Sequence, residues 1–288
     1  MLPRATPMTV ATDIAVALPA RGQPWRVLLW LAPLTAFWIG LNYWVPALPA
    51  SGVPSTASRL AIHIAIVLGL WLALERTELA PRRRLGVWLA VVVPYTLWLA
   101  IIWSAAVNGV FRPGNSTLPL VPFAIFLPVI VGVPILLLSK RIGEVLDAMP
   151  TSWLIGLQVY RVLGGIFLVG WARGVIPSLF ALPAGIGDVT TGLLALPVAY
   201  SLASRNGSAV RGGIAWNIFG LVDFTIAVGI GLVTAPGPFH LIVPSVPNTG
   251  LGLYPTVLIP AFAVPSSILL HVLSLRQLRH GMRSRERT

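Results

Sequence analysis

Of 288 residues, 56% are hydrophobic and 10% charged, with a mean hydropathy of +0.86. Soluble domains carry about 25% charged residues, so that composition excludes a chain whose outer surface mostly meets water. The absence of cysteine excludes disulfides, thiolate metal sites and cysteine nucleophiles. The net charge of +12 would suggest nucleic acid in a soluble protein, but here it fits the collection of basic residues in cytoplasmic loops.

Residues 1–26 predict a cytoplasmic N-terminal tail, because Asp13 interrupts the only apolar stretch that could act as a cleavable signal. Apolar runs then fall at 27–46, 59–78, 85–107, 120–138, 152–172, 184–203, 212–234 and 255–275. Each is long enough to cross a hydrocarbon core of about 30 Å. Lipid offers the backbone no outside partner, so each run predicts a helix. The expectation is an all-α integral membrane protein, a polytopic bundle of about eight transmembrane helices. One bundle spans 27–275, and residues 276–288 form a basic C-terminal tail. No separate soluble domain fits between such spans.

Orientation follows from the basic residues. With the N-terminus inside, the cytoplasmic segments hold Arg4, Arg21 and Arg26; Arg76, Arg82, Arg83 and Arg84; Lys140 and Arg141; Arg205 and Arg211; and Arg276, Arg279, Arg283, Arg285 and Arg287. These are 16 of the 20 basic residues. The outer side receives Arg59, Arg112 and Arg173, and Arg161 falls inside a span. Both termini are therefore placed in the cytoplasm, and the Ala, Gly, Pro and Arg bias suggests a bacterial plasma membrane. Pro33, Pro94, Pro128, Pro134, Pro197, Pro260 and Pro265 lie within spans and predict kinks. Spans 4 and 8 share a paired-proline, Leu-ending pattern, which suggests a weak 4+4 duplication. A re-entrant or broken segment is expected before span 6, in the stretch 173–188. The apolar outer loop 235–254 is expected to fold over or dip into the bundle.

Ionisable residues inside a bilayer are expensive and mark functional or structural centres. Arg161 and Asp223 sit about 14 Å and 16 Å from the cytoplasmic ends of spans 5 and 7, at 1.5 Å per residue. Equal depth and opposite sign predict a buried pair. Gln158 shares the face of Arg161 by i, i+3 spacing, whereas Asn217 lies about 120° around the helix from Asp223. Asp188 is expected in the outer half, reachable from Arg173 or through water from Arg161. The candidate substrate-binding or proton-coupling residues are Gln158, Arg161, Asp188, Thr191, Asn217 and Asp223, with His240 as a gate candidate.

Gly185–Asp188 (GIGD) has the GxGD spacing of membrane aspartyl proteases. The second aspartate follows it instead of preceding it, and the flanking elements are missing, so no family resemblance is carried. His63 and His271 differ too much in depth for a haem, and His280 is cytoplasmic. His63 and His240 could meet on the outer side but lack the carboxylate support a metal site needs, so each reads as an isolated histidine. HExxH, GxSxG, P-loop and dinucleotide motifs are absent. Neither a metal nor a cofactor is expected. The partners expected are the lipid bilayer, anionic lipid at the cytoplasmic loops and an unidentified small-molecule substrate, with no nucleic acid; an oligomer is left open. The leading functional expectation is a transporter or permease for a small polar or anionic solute or for protons. The alternatives are an integral membrane enzyme acting on a lipid through an Asp pair, and a non-catalytic subunit of a membrane complex.

Overall fold

A computed structural model describes residues 23–116, 118–204 and 208–285, with side chains as far as Met282. Arg4, Arg21, Arg205 and Arg287, and nearly all of the N-terminal tail, lie outside the described residues. Among the described residues there is no strand. Eight helices are long and apolar enough to cross a membrane: α1 (Pro24–Trp44), α2 (Val53–Glu75), α3 (Pro81–Val107), α4 (Leu120–Leu138), α5 (Ser152–Ala172), α6 (Ser178–Ala203), α7 (Ala209–Thr234) and α8 (Ile259–Met282). The chain is a multi-pass helical membrane protein.

The loops sort to two ends. At one end Thr56 and Tyr254 share a hydrogen bond of 3.1 Å, Gly252 lies against the Phe111 carbonyl, and Arg173 donates to the Tyr43 carbonyl. At the other end Arg276 donates to the Leu136 carbonyl at 2.6 Å, Gln277 donates to the Met149 carbonyl at 2.7 Å, and Arg76 lies 4.9 Å from the Trp153 ring. Successive helices therefore cross in alternating directions. Between α4 and α5 a short helix, Lys140–Ala148, is capped by the Ser139 side chain accepting from the Ile142 N–H. Its Ile142, Val145 and Leu146 face is buried, and Arg141 pairs with Glu144 on its exposed side.

Burial is uneven. It covers 11–22% of the most apolar stretch in α1–α4 and 33–56% in α5–α8. The first four helices thus flank a more enclosed C-terminal group of four. That difference tracks the sequence, since buried polar residues need partners inside the bundle and most of them lie in α5–α8.

Two expectations are corrected here. The glycine-rich stretch before Asp188 is not broken, because α6 is continuous from Ser178 with Pro183 inside it. Neighbouring helices can re-satisfy the carbonyl a proline frees. The irregular segment lies in α5, which runs as α-helix (Ser152–Leu157), 3-10 helix (Gln158–Gly165) and α-helix again (Ile166–Ala172). An eight-residue 3-10 run is long for that geometry. It sits where α6 presses closest, since a side chain on Gly192 would meet the Val162 backbone. The second correction concerns the C-terminal end, where helix continues through Arg285 and includes residues expected as a tail.

Candidate functional site

Arg161 stands in the middle of the 3-10 run and is 3% exposed. Its guanidinium reaches three other helices. Nε donates to Asp188 Oδ1 at 2.8 Å, Nη2 lies 2.7 Å from the same oxygen, and Nη2 also donates to Asp223 Oδ2. Nη1 points to the Gly220 carbonyl at 3.5 Å and to His271 Nε2 at 3.1 Å. The Phe224 ring lies 3.9 Å from the guanidinium carbon, a cation–π contact. Every nitrogen of the arginine is engaged by the protein.

Because arginine only donates, His271 Nε2 accepts and its Nδ1 donates to Asn217 Oδ1 at 2.9 Å. Asn217 then donates to the Gly213 carbonyl at 2.8 Å and to Ser274 at 3.0 Å. The imidazole also packs on Trp216, with ring centroids 4.9 Å apart. The chain Arg161–His271–Asn217–Ser274 is wholly buried.

Asp188 and Asp223 therefore meet on one guanidinium, instead of lying at different depths. The reason is the early start of α6. Asp188 is ten residues from Ser178, or about 15 Å deep at 1.5 Å per residue. Arg173, its other expected partner, binds the Tyr43 carbonyl and lies 5.6 Å from that ring. Asn217 joins the centre through His271, although it does not share the Asp223 face. Gln158 does not join: it is fully buried, and neither side-chain polar atom has a partner among the described residues. The Thr191 hydroxyl bonds its own helix, at the Gly187 carbonyl 2.8 Å away, while the Trp216 indole donates to the Thr191 carbonyl at 3.0 Å.

A cavity of about 520 Å³ opens between the loops at residues 110–119 and 235–252 and runs inward. Phe167, Phe180, Phe224 and Ile259 line its walls, and Asp188 and Asp223 lie at its deep end. Asn248, also on the wall, donates to Thr234 Oγ1 at 2.8 Å, and its Oδ1 has no partner among the described residues. The same loop is pinned to α7 by the Leu241 and Ile242 N–H groups, both 2.9 Å from the Val233 carbonyl. His240 is exposed and does not line the cavity, whereas Phe239 does. Thr191→Val and His240→Ala are accordingly expected to leave ligand affinity at this cavity within about twofold of wild type, measured by titration calorimetry.

Sequence reasoning missed two contributors. His271 reads as an isolated residue near a helix end, yet Ser267, His271 and Ser274 form an i, i+4, i+7 polar stripe along α8. That stripe was the available signal. Arg59 reads as an outer-side residue at the very start of span 2, yet α2 begins at Val53 and Arg59 is 6% exposed within it. Among the described residues no group of three or more His, Cys, Asp or Glu could hold a metal.

No curated protein and no solved structure matches this chain. A family model described as "Domain of unknown function (DUF8737)" matches residues 118–279, more than half of the chain, and so includes Arg161, Asp188, Asp223 and His271. The chain belongs to the DUF8737 family.

Proposed function

We propose that this protein is a permease-like membrane transporter. Its cavity takes an apolar solute bearing a hydrogen-bond-donating head, with a protonated amine as the strongest form. The carrying observation is the cavity of about 520 Å³ with aromatic walls and two carboxylates at its deep end. The polar groups offered deep in the cavity are acceptors, the Asp188 and Asp223 carboxylates, and the Asn248 Oδ1, without a partner among the described residues, adds a third acceptor on the wall nearer the mouth. Arg161 lies behind the carboxylates with all its nitrogens engaged, which disfavours the reading in which it holds a solute anion.

Sidedness rests on the basic residues. Arg76, Arg82, Arg83, Arg84, Lys140, Arg141, Arg211, Arg276 and Arg279 lie at the end opposite the cavity mouth. By the positive-inside rule the mouth faces outward and both termini face the cytoplasm of a bacterial plasma membrane. The 3-10 run in α5 carries Arg161 and supplies the element whose change of winding would move the charge centre, since such runs mark hinges. Asp188 and Asp223 are also the groups through which protons would couple to the solute. The enzymatic alternative fits less well. Two carboxylates held by one arginine are not free to divide acid and base roles between them.

The test compares 2-naphthylethylamine, the matching alcohol and the matching carboxylate for binding to purified protein. The amine is expected to bind best, and Asp223→Asn to weaken it at least tenfold, about 1.4 kcal/mol. Wild-type proteoliposomes are expected to accumulate the amine under an imposed pH gradient faster than protein-free liposomes and Asp223→Asn proteoliposomes, where only passive entry of the neutral amine remains. Preferential binding of the carboxylate would contradict the solute class, and binding with uptake no faster than in protein-free liposomes would contradict transport.

A further inference from the structure

Behind the charge centre lies a second, much smaller chamber of about 30 Å³, lined by Arg59, Tyr160, Gly164, Asp188 and Ser267 among others. Arg59 is 6% exposed, so it has left water almost completely. Its Nη2 donates to the neighbouring Ser58 hydroxyl at 3.2 Å, and its Nε has no partner among the described residues. No carboxylate among the described residues forms a salt bridge with it. A desolvated guanidinium in that condition is costly unless something accepts from it.

The chamber supplies the acceptor. About 10–15 Å³ is enough space for one water, provided two to four polar groups surround it. Here those groups are Arg59, Asp188 and the Tyr160 and Ser267 hydroxyls, which are 2.6 Å from one another. Asp188 uses Oδ1 for Arg161, and no hydrogen bond from the described residues reaches its Oδ2. Charge balance points the same way. Arg161 with two carboxylates leaves one negative charge in a low-dielectric interior, and Arg59 offsets it.

We infer that Arg59 is the second cation of the charge centre, joined to Asp188 by a single ordered water held in this chamber. Arg59 is a positioning residue: it acts on the large cavity only through Asp188, which borders both spaces. The inference does not depend on what the large cavity carries.

A melting cycle in detergent tests it. Arg59→Gln is expected to lower Tm by roughly 5–10 °C, because it leaves the buried centre of Arg161 and two carboxylates with an unbalanced negative charge. Arg59→Gln combined with Asp188→Asn is expected to melt well above the sum of the two single losses. Arg59→Lys keeps the charge and should retain part of the stability, which keeps the cycle interpretable if Arg59→Gln does not fold. The centre also becomes more negative in Arg59→Gln, so the naphthylethylamine probe is expected to bind about threefold to tenfold more tightly, an effect a purely structural arginine would not produce. A high-resolution cryo-EM map should show one water between Arg59 and Asp188. Wild-type melting of Arg59→Gln, additive losses in the double variant or an empty chamber would each overturn the inference. Failure of the amine to bind wild type would instead count against the solute class, and the melting cycle would still stand.

Discussion

Arg161→Ala is expected to be the most damaging single substitution in the chain, lowering stability by roughly 3–5 kcal/mol. The change strands Asp188 and Asp223 and also removes the donor to His271 Nε2. Removing one partner of a buried ion pair costs more than the pair itself contributes, because the remaining charge stays desolvated. The triple variant Arg161→Ala, Asp188→Asn, Asp223→Asn should therefore recover most of the loss. Arg161→Lys should recover little, since an ammonium cannot reproduce a fork that serves three helices. Thermal unfolding in mild detergent reads all three. A near-wild-type Tm for Arg161→Ala would mean that water already shields the carboxylates.

The second large effect is steric. Gly220→Ala would place a methyl group against the His271 imidazole and 2.9 Å from Arg161 Nη1. Neither neighbour can retreat: His271 is fully buried between Trp216 and Asn217, and Arg161 is tethered to two aspartates. Overpacking costs about 1–3 kcal/mol, against a gain of about 1 kcal/mol from replacing glycine in a helix. A net loss of up to roughly 2 kcal/mol is expected, together with a displaced arginine and weakened binding at the cavity. Gly229→Ala, on the same helix with open space around its Cβ position, is the control and should be neutral or slightly stabilising.

The eight spans were legible because lipid leaves a long apolar run one stable conformation, whatever its neighbours. The Arg161–Asp223 pair was legible for a related reason: inside a bilayer, depth along two helices decides whether opposite charges can meet. Other features were hidden by the same reasoning. Ending each span at a charge pushes charged residues into loops by construction. Arg59 is therefore placed at the outer tip of α2 and not within it, and Arg276 closes α8 early enough to make His271 look terminal. Asp188 reads as an outer-half residue because the apolar run of span 6 begins at 184, whereas α6 begins at Ser178 and continues through Pro183. The 3-10 winding of α5 left no mark that spacing alone could reveal. It coincides with the close approach of Gly192 on α6 to the Val162 backbone of α5, a contact between two helices.

The central claim is a cavity open to the outside that ends at the two aspartates, and cysteine accessibility tests it most directly. The chain contains no cysteine, so a single substitution reports alone. Ala227 lies on the cavity wall one turn of α7 beyond Asp223. Ala227→Cys in sealed right-side-out vesicles should react with a membrane-impermeant thiol reagent added outside, and the naphthylethylamine probe should slow that reaction while its carboxylate counterpart should not. Reaction from the cytoplasmic side alone, or protection by the carboxylate and not the amine, would contradict the account.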